Sequence, residues 1–354
     1  MMSRIVKKII DNIFVNFFIL LGNRFSLSLF EKFISGIQNS NKNFITYHQR
    51  PQRTLSILTS SHLEPSLPKL AIIVQGPIIT SNEFTYETTK LYKQHFPNAT
   101  IILSTWSSEK QSCVSKFENL GITILLNEMP EYPGVSNINL QIISSKEGIK
   151  KAKELGVEYV IKTRTDQRMY APNIECFLFN IINTFPLKSE IVKQKKRIVG
   201  LSLNTFKYRM YGLSDMFTYG HIDDLLLFWN LPLDMRIFNI NEIETANKSL
   251  RSFAQLRICE VYLTTEFLKN VDFKLEWSLK NSWKAYSNHF CVIDKESIDL
   301  YWGKYGFLHD HWKKYEYTIN VFEELSFKEW LNLYNNQNCS FAPEEVLEFE
   351  LNKN

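Results

Sequence analysis

Residues 160–170 read VIKTRTDQRMY, an apolar stretch that ends in Lys162, Arg164 and Asp166. The three alternate along the chain, so an extended backbone puts them on one face. At the carboxyl end of a short strand in an α/β sheet they would border the ligand crevice, and charge at that edge is costly unless it meets charge. Two cations beside one carboxylate suit a nucleotide diphosphate. The competing interpretation is a salt-bridged strand end with no ligand.

Such residues need a frame, and the chain upstream supplies one. LAIIV at 70–74 is a continuous apolar run that stops at Gln75-Gly76-Pro77, the pattern of a buried parallel strand ending in a tight turn. Gly76 allows close approach of backbone to a ligand. Phe84, Leu91, Tyr92 and His95 then recur at helical spacing until Pro97-Asn98, and Ile101 to Leu103 form a second apolar strand ending in Ser104-Thr105-Trp106. A polar helix over 109–119 stops at Gly121, and 122–126 reads as a third strand. A helix over 137–155 turns Ile138, Ile142, Ile149 and Ala152 to the sheet and closes at Gly156. The repeated strand–helix unit predicts a doubly wound α/β half.

In that frame Gln75, Gly76, Pro77, Ser104 and Thr105 lie at carboxyl ends of adjacent strands and line the nucleotide side of the crevice, unless they are ordinary turn chemistry. Asn137, Asn139 and Gln141 open a helix, where free N–H groups favour a phosphate. Asn137 reads as the cap. Asn139 and Gln141 are two apart and do not share a helical face, so at least one of them is structural if the segment is helical.

Five segments, VQGPI at 74–78, ILSTW at 102–106, NINLQIISSKEGI at 137–149, IKTRTD at 161–166 and LSDMFTYG at 213–220, together resemble the WavE lipopolysaccharide-synthesis family, over about residues 68–315. The resemblance implies an α/β, Rossmann-like fold similar to the GT-A class of nucleotide-sugar transferases. The implied plan is an N-terminal amphipathic helix and linker over 1–67, a donor-binding half over 68–200, a mixed acceptor-binding half over 201–320 and a helical tail over 321–354. The implied activity is a glycosyltransferase that moves a sugar from a nucleotide-sugar donor to a growing lipopolysaccharide or capsule glycan. Many GT-A enzymes hold a divalent ion with a D-x-D pair, and Arg164-Thr165-Asp166 falls where that motif would, with one carboxylate lost. Mg²⁺ or Mn²⁺ held by Asp166, substrate phosphates and waters, with a late His309 or His311, is one expectation. Lys162 and Arg164 acting as fixed cations on the phosphates is the other.

An inverting transfer also needs a base for the acceptor hydroxyl. Asp215, beside Phe217 and Tyr219, and Glu260, in LRICEVYL at 256–263, are the candidates. Glu260 reads as a mid-helix carboxylate, either functional or paired with Arg257 or Arg251. Asp223 and Asp224 read as first-turn carboxylates favoured by a helix dipole. Residues 301–317, YWGKYGFLHDHWKKYEY, offer aromatic faces for a sugar or an apolar latch; Trp277 and Trp283 are core by default.

Composition sets outer limits. The 354 residues are 44% hydrophobic and 14% aromatic, ample for a packed core, and a net charge of +4 gives no case for nucleic acid. Five scattered cysteines with no C-x-x-C suggest reduced thiols and a cytoplasmic protein. The N-terminus has Arg4, Lys7 and Lys8 before an apolar stretch that Asp11, Asn12 and Asn16 interrupt, and it is shorter than the roughly 20 apolar residues a span requires. Ile5, Ile9, Ile13, Phe17 and Leu20 share a helical face, which suits either an interfacial helix on the inner face of the bacterial cytoplasmic membrane or packing on protein. Residues 38–68 read as a polar linker, with the core beginning near Lys69. The chain lacks G-x-G-x-x-G after the first strand and lacks G-x-x-x-x-G-K-[ST], which argues against a dehydrogenase and a P-loop enzyme. A nucleotidyltransferase, or a non-catalytic membrane-associated scaffold that kept the fold, remains as an alternative.

Overall fold

The computed structural model describes residues 67–238, 249–304 and 323–336, together with 13, 16, 17, 19, 20, 23–41, 44, 45 and 47–54. The chain forms two compact units, one from residues 1–49 and 307–314, the other from 50–306 and 315–354. The first contains α1 (Asn23–Asn41), where Ile34 is buried and the Phe30 ring stands edge-on to Tyr47, centroids 5.1 Å apart. Most of the stretch expected on a membrane surface lies outside the described residues, and no described helix is long and apolar enough to cross a membrane.

The second unit is built on four parallel strands, Leu70–Gln75 (β1), Thr100–Trp106 (β2), Thr123–Asn127 (β3) and Tyr159–Arg164 (β4), ordered β3-β2-β1-β4. Every residue of β1 is buried, as apolar runs covered on both faces require. Phe84–His95 (α2), Gln111–Glu118 (α3) and Ile138–Glu154 (α4) connect them. Contact of α4 with the sheet depends on Gly148, where a Cβ would stand 2.6 Å from Ile73 Cγ2.

The chain continues through Gln167–Met169 (β5), Ile174–Thr184 (α5), Ile198–Leu201 (β6), Thr218–His221 (β7) and Ile222–Trp229 (α6). Leu250–Gln255 (α7), Glu260–Asn270 (α8), Leu279–His289 (α9), Phe290–Ile293 (β8), Leu300–Trp302 (β9) and Phe327–Asn335 (α10) follow. β7 pairs antiparallel with β4, β6 antiparallel with β7 and β8 parallel with β6, which completes a seven-stranded sheet. The expected boundary between residues 200 and 201 therefore cuts β6, and one sheet serves both halves. A separate ribbon pairs β5 with β9, Gln167 opposite Trp302, and so carries residues near 300 back to the end of β4.

Two segments expected at the periphery are built into the core. The core unit begins at Arg50, not near Lys69: Thr54 is 1% exposed and bonds Glu87 through its N–H at 2.8 Å, and Arg168 Nη1 donates to Gln52 O at 3.0 Å. In the expected C-terminal tail, α10 buries Trp330, whose Nε1 donates to Phe290 O at 3.0 Å.

Candidate functional site

Parallel strands that end level leave a crevice at their carboxyl edge. Here Gln75 of β1 pairs with both Ser104 of β2 and Arg164 of β4. Gly76 turns the chain with φ 119° and gives its N–H to Ser104 O at 3.1 Å. A Cβ there would come within 2.8 Å of Thr165 Oγ1, so the close approach of this turn to the end of β4 requires glycine. A cleft of about 700 Å³ opens above this edge. The turn after β1, Trp106, the first turn of α4, the end of β4 and Tyr301, Gly303 and Lys304 form its walls.

Arg164 and Asp166 face each other in a fork on this wall, Nε to Oδ1 at 2.9 Å and Nη2 to Oδ2 at 3.0 Å. Trp302 Nε1 also donates to Oδ2, at 3.0 Å. Burial disfavours both charges, but the hydrogen bonds and charge of Arg164 outweigh it and hold the Asp166 carboxyl below its usual range. Asp166 likewise keeps the guanidinium charged against burial. Asp166 is the one carboxylate among the described residues lining the cleft, both its oxygens are engaged, and no cluster of three metal-ligating side chains occurs among the described residues. Among the described residues only Asp166 could hold a divalent ion, and then only together with substrate phosphates and waters. His309 and His311, expected to complete one, lie outside the described residues.

Lys162 does not line the cleft. Alternation puts it on the same face of β4 as Arg164, but two strand residues advance about 7 Å, so it sits a layer deeper. It is fully buried; Nζ donates to Asp215 O, lies 4.4 Å from the Trp229 ring centre and 3.5 Å from Gln141 Oε1. Burial pushes its pKa down to about 7.

The two expected bases are also behind the wall rather than on it. Asp215 is 3% exposed; its Oδ2 accepts from Gln141 Nε2 and lies 3.7 Å from Cys259 Sγ. Glu260 opens α8 instead of sitting mid-helix. It accepts from Asn204 Nδ2 and lies 3.6 Å from Arg209 Nη1, while Arg257, expected as its partner, bonds Glu266. Burial raises the Glu260 pKa, with Arg209 opposing and Asp215 adding to the rise.

Of the expected donor residues, Gln75, Gly76, Pro77, Gln141, Arg164 and Asp166 meet at the cleft, and Ser104, Thr105, Asn139 and Lys162 do not. Ser104 Oγ donates to Ser144 O at 2.7 Å and Thr105 Oγ1 to Glu109 Oε1 at 3.2 Å. Asn139 staples two loops, giving Nδ2 to Tyr132 O and Asp234 O and accepting from Asp234 N at 2.7 Å. Asn137 holds the cap position in the left-handed region, yet its side chain makes no cap bond and the residue lines the cleft. The sequence reading missed Phe84, taken for a helix-face residue, and Trp302, hidden within an aromatic run. Arg168 fixes Phe84 from behind, Nη2 to its carbonyl at 2.9 Å and guanidinium 4.5 Å over its ring.

An open, mostly parallel α/β sheet with a cleft at its carboxyl edge defines a Rossmann-like fold. The profile of the WavE lipopolysaccharide synthesis family matches residues 70–354, and the chain belongs to that family. The family's description places it in lipopolysaccharide synthesis. No curated protein matches the sequence. Among solved structures, the chain is similar to the mannosyltransferase PcManGT from Pyrobaculum calidifontis, in complex with GDP-Man and Mn²⁺, at 10% identity and TM-score 0.31, over 52% of this chain and 51% of that one. It is also similar to mannose-1-phosphate geranyltransferase from Thermus thermophilus, at 12% identity and TM-score 0.24, over 38% and 41%. The chain thus spans about half the length of the first and less of the second.

Proposed function

We propose that the cleft binds the diphosphate of a nucleotide-sugar donor against Arg164, as a fixed cation, for transfer of the sugar to a lipid-linked or oligosaccharide chain of lipopolysaccharide or capsule. The observation that carries this is the Arg164–Asp166 fork on the cleft wall. Asp166 engages Nε and Nη2 and so orients the guanidinium, leaving Nη1 for a phosphate oxygen. The first turn of α4 borders the same space through Leu140 and Gln141. Phe84, Trp106 and Tyr301 supply apolar faces for a base or sugar ring. In the other unit, exposed Phe25 and Phe33 on α1 support peripheral contact with the inner membrane face.

Incubation with a panel of nucleotide sugars, with released nucleotide followed by ³¹P NMR, tests the reading. Release from one or a few sugars, lost in Arg164→Ala, is expected. Release undiminished in Arg164→Ala would contradict it.

A further inference from the structure

Gln141 stands between the cleft and the buried charges behind it. It lines the cleft, and its carboxamide reaches both neighbours, Nε2 donating to Asp215 Oδ2 and Oε1 lying 3.5 Å from Lys162 Nζ. The two ends of a carboxamide are alike in shape and opposite in hydrogen-bonding sense. A protonated lysine only donates and a carboxylate only accepts, so with Lys162 charged these neighbours admit one orientation. Reversed, the amide would set N–H against the ammonium and carbonyl against the carboxylate. Gln75 has no such lock, because its Oε1 meets the Ser144 hydroxyl at 2.8 Å, a group that donates or accepts. Lys162 and Asp215 are themselves tied together, Nζ to the Asp215 carbonyl, and the Trp229 ring lies against the ammonium. The three residues close a ring of which Gln141 alone borders the cleft.

We propose that Lys162 and Asp215 are positioning residues that lock the Gln141 carboxamide, and that Gln141 presents its second Nε2 hydrogen to an oxygen of the bound donor. This rests on the cleft being the donor site. A diphosphate oxygen and a sugar hydroxyl share the accepting chemistry, and the probes below separate them. The lock gives a fully buried lysine with no carboxylate bonded to its ammonium an indirect contact with the ligand.

The test is a double-mutant cycle on binding of UDP, GDP, a UDP-hexose and a GDP-hexose, by calorimetry, with Gln141→Leu, Lys162→Met and both together. Each single change is expected to weaken binding about ten-fold or more, the scale of one hydrogen bond to a charged group. The double variant is expected to bind no more weakly than Gln141→Leu, because Lys162 acts through Gln141. Losses that multiply would overturn the proposal. A loss seen already with UDP or GDP places the contact on the nucleoside diphosphate, and a loss confined to the hexose conjugates places it on the sugar; either supports it. If Lys162→Met does not fold, Asp215→Asn, whose amide meets Gln141 either way round, replaces it in the cycle. Should no probe bind the unaltered protein, the donor-site reading falls and this one with it. Probes that bind every variant alike overturn both the Gln141 contact and the positioning role and leave the donor-site reading standing.

Discussion

At the cleft wall, Arg164 and Asp166 are 21% and 15% exposed and compensate each other through two hydrogen bonds. One layer deeper, Lys162 is fully buried, and its ammonium meets a backbone carbonyl, a carboxamide oxygen and an indole face. Both are cations on one face of β4, but only the outer one has donors left for a ligand. The inner one is held in a setting that disfavours its charge. Residue type and strand face are thus shared by a group that touches the cleft and a group that shapes it.

Breaking the inner layer is expected to have the largest effect on stability. Trp229 is fully buried, its Nε1 donates to Thr218 Oγ1 at 3.1 Å, and its ring covers Lys162. Trp229→Ala is expected to cost about 3–5 kcal/mol in urea unfolding. A cost below about 1 kcal/mol would show that the layer is not packed as described. Gly76→Ala attacks the outer layer instead. The left-handed φ and the approach to Thr165 predict a loss of roughly 1–3 kcal/mol, with weaker nucleotide binding because the end of β4 must shift.

Titration separates the two layers next. Burial lowers Lys162 from 10.5 to about 7, so between those values the unfolded chain holds the proton that the folded chain has released. Stability from this group therefore rises with pH across that window. Lys162→Met is expected to flatten the rise, measured as Tm from pH 7 to pH 10, and to leave stability near pH 7 unchanged or higher, since a buried charge replaced by an apolar group of similar size is often stabilising. An equally steep rise in the variant would assign it to other groups. The smallest effect belongs to the solvated pair Glu147–Lys150, 3.0 Å apart on the outer face of α4. Lys150→Ala is expected to change unfolding by no more than about 0.5 kcal/mol.

β1, β2 and β4 were legible because parallel strands buried on both faces are written as continuous apolar runs, as LAIIV shows, and β3, half-exposed at the sheet edge, was legible as the short run after Gly121. β6, β8 and the β5–β9 ribbon were not, since their pairing partners lie far along the chain. That is why Trp302, on a strand more than a hundred residues after Asp166, could not be matched with it. Alternation correctly put Lys162 and Arg164 on one face but carries no information on depth, which depends on where α4 and α6 cover the strand. The expectation that at least one of Asn139 and Gln141 is structural follows from helical periodicity, and Asn139 is the one turned inward. Asn137 was read as a cap because asparagine caps well; its backbone takes that position, while its side chain makes no cap bond.

The most direct test of the account is calorimetric titration with UDP, GDP and CMP, with and without Mn²⁺, on the unaltered protein, Arg164→Ala and Asp166→Ala. The account predicts binding of a nucleotide without metal, weakened about ten- to hundred-fold in Arg164→Ala, the range for a lost hydrogen bond to charge, and weakened less in Asp166→Ala, which loses the orientation of the guanidinium but keeps its charge. Binding that requires Mn²⁺, disappears in Asp166→Ala and survives Arg164→Ala would contradict it.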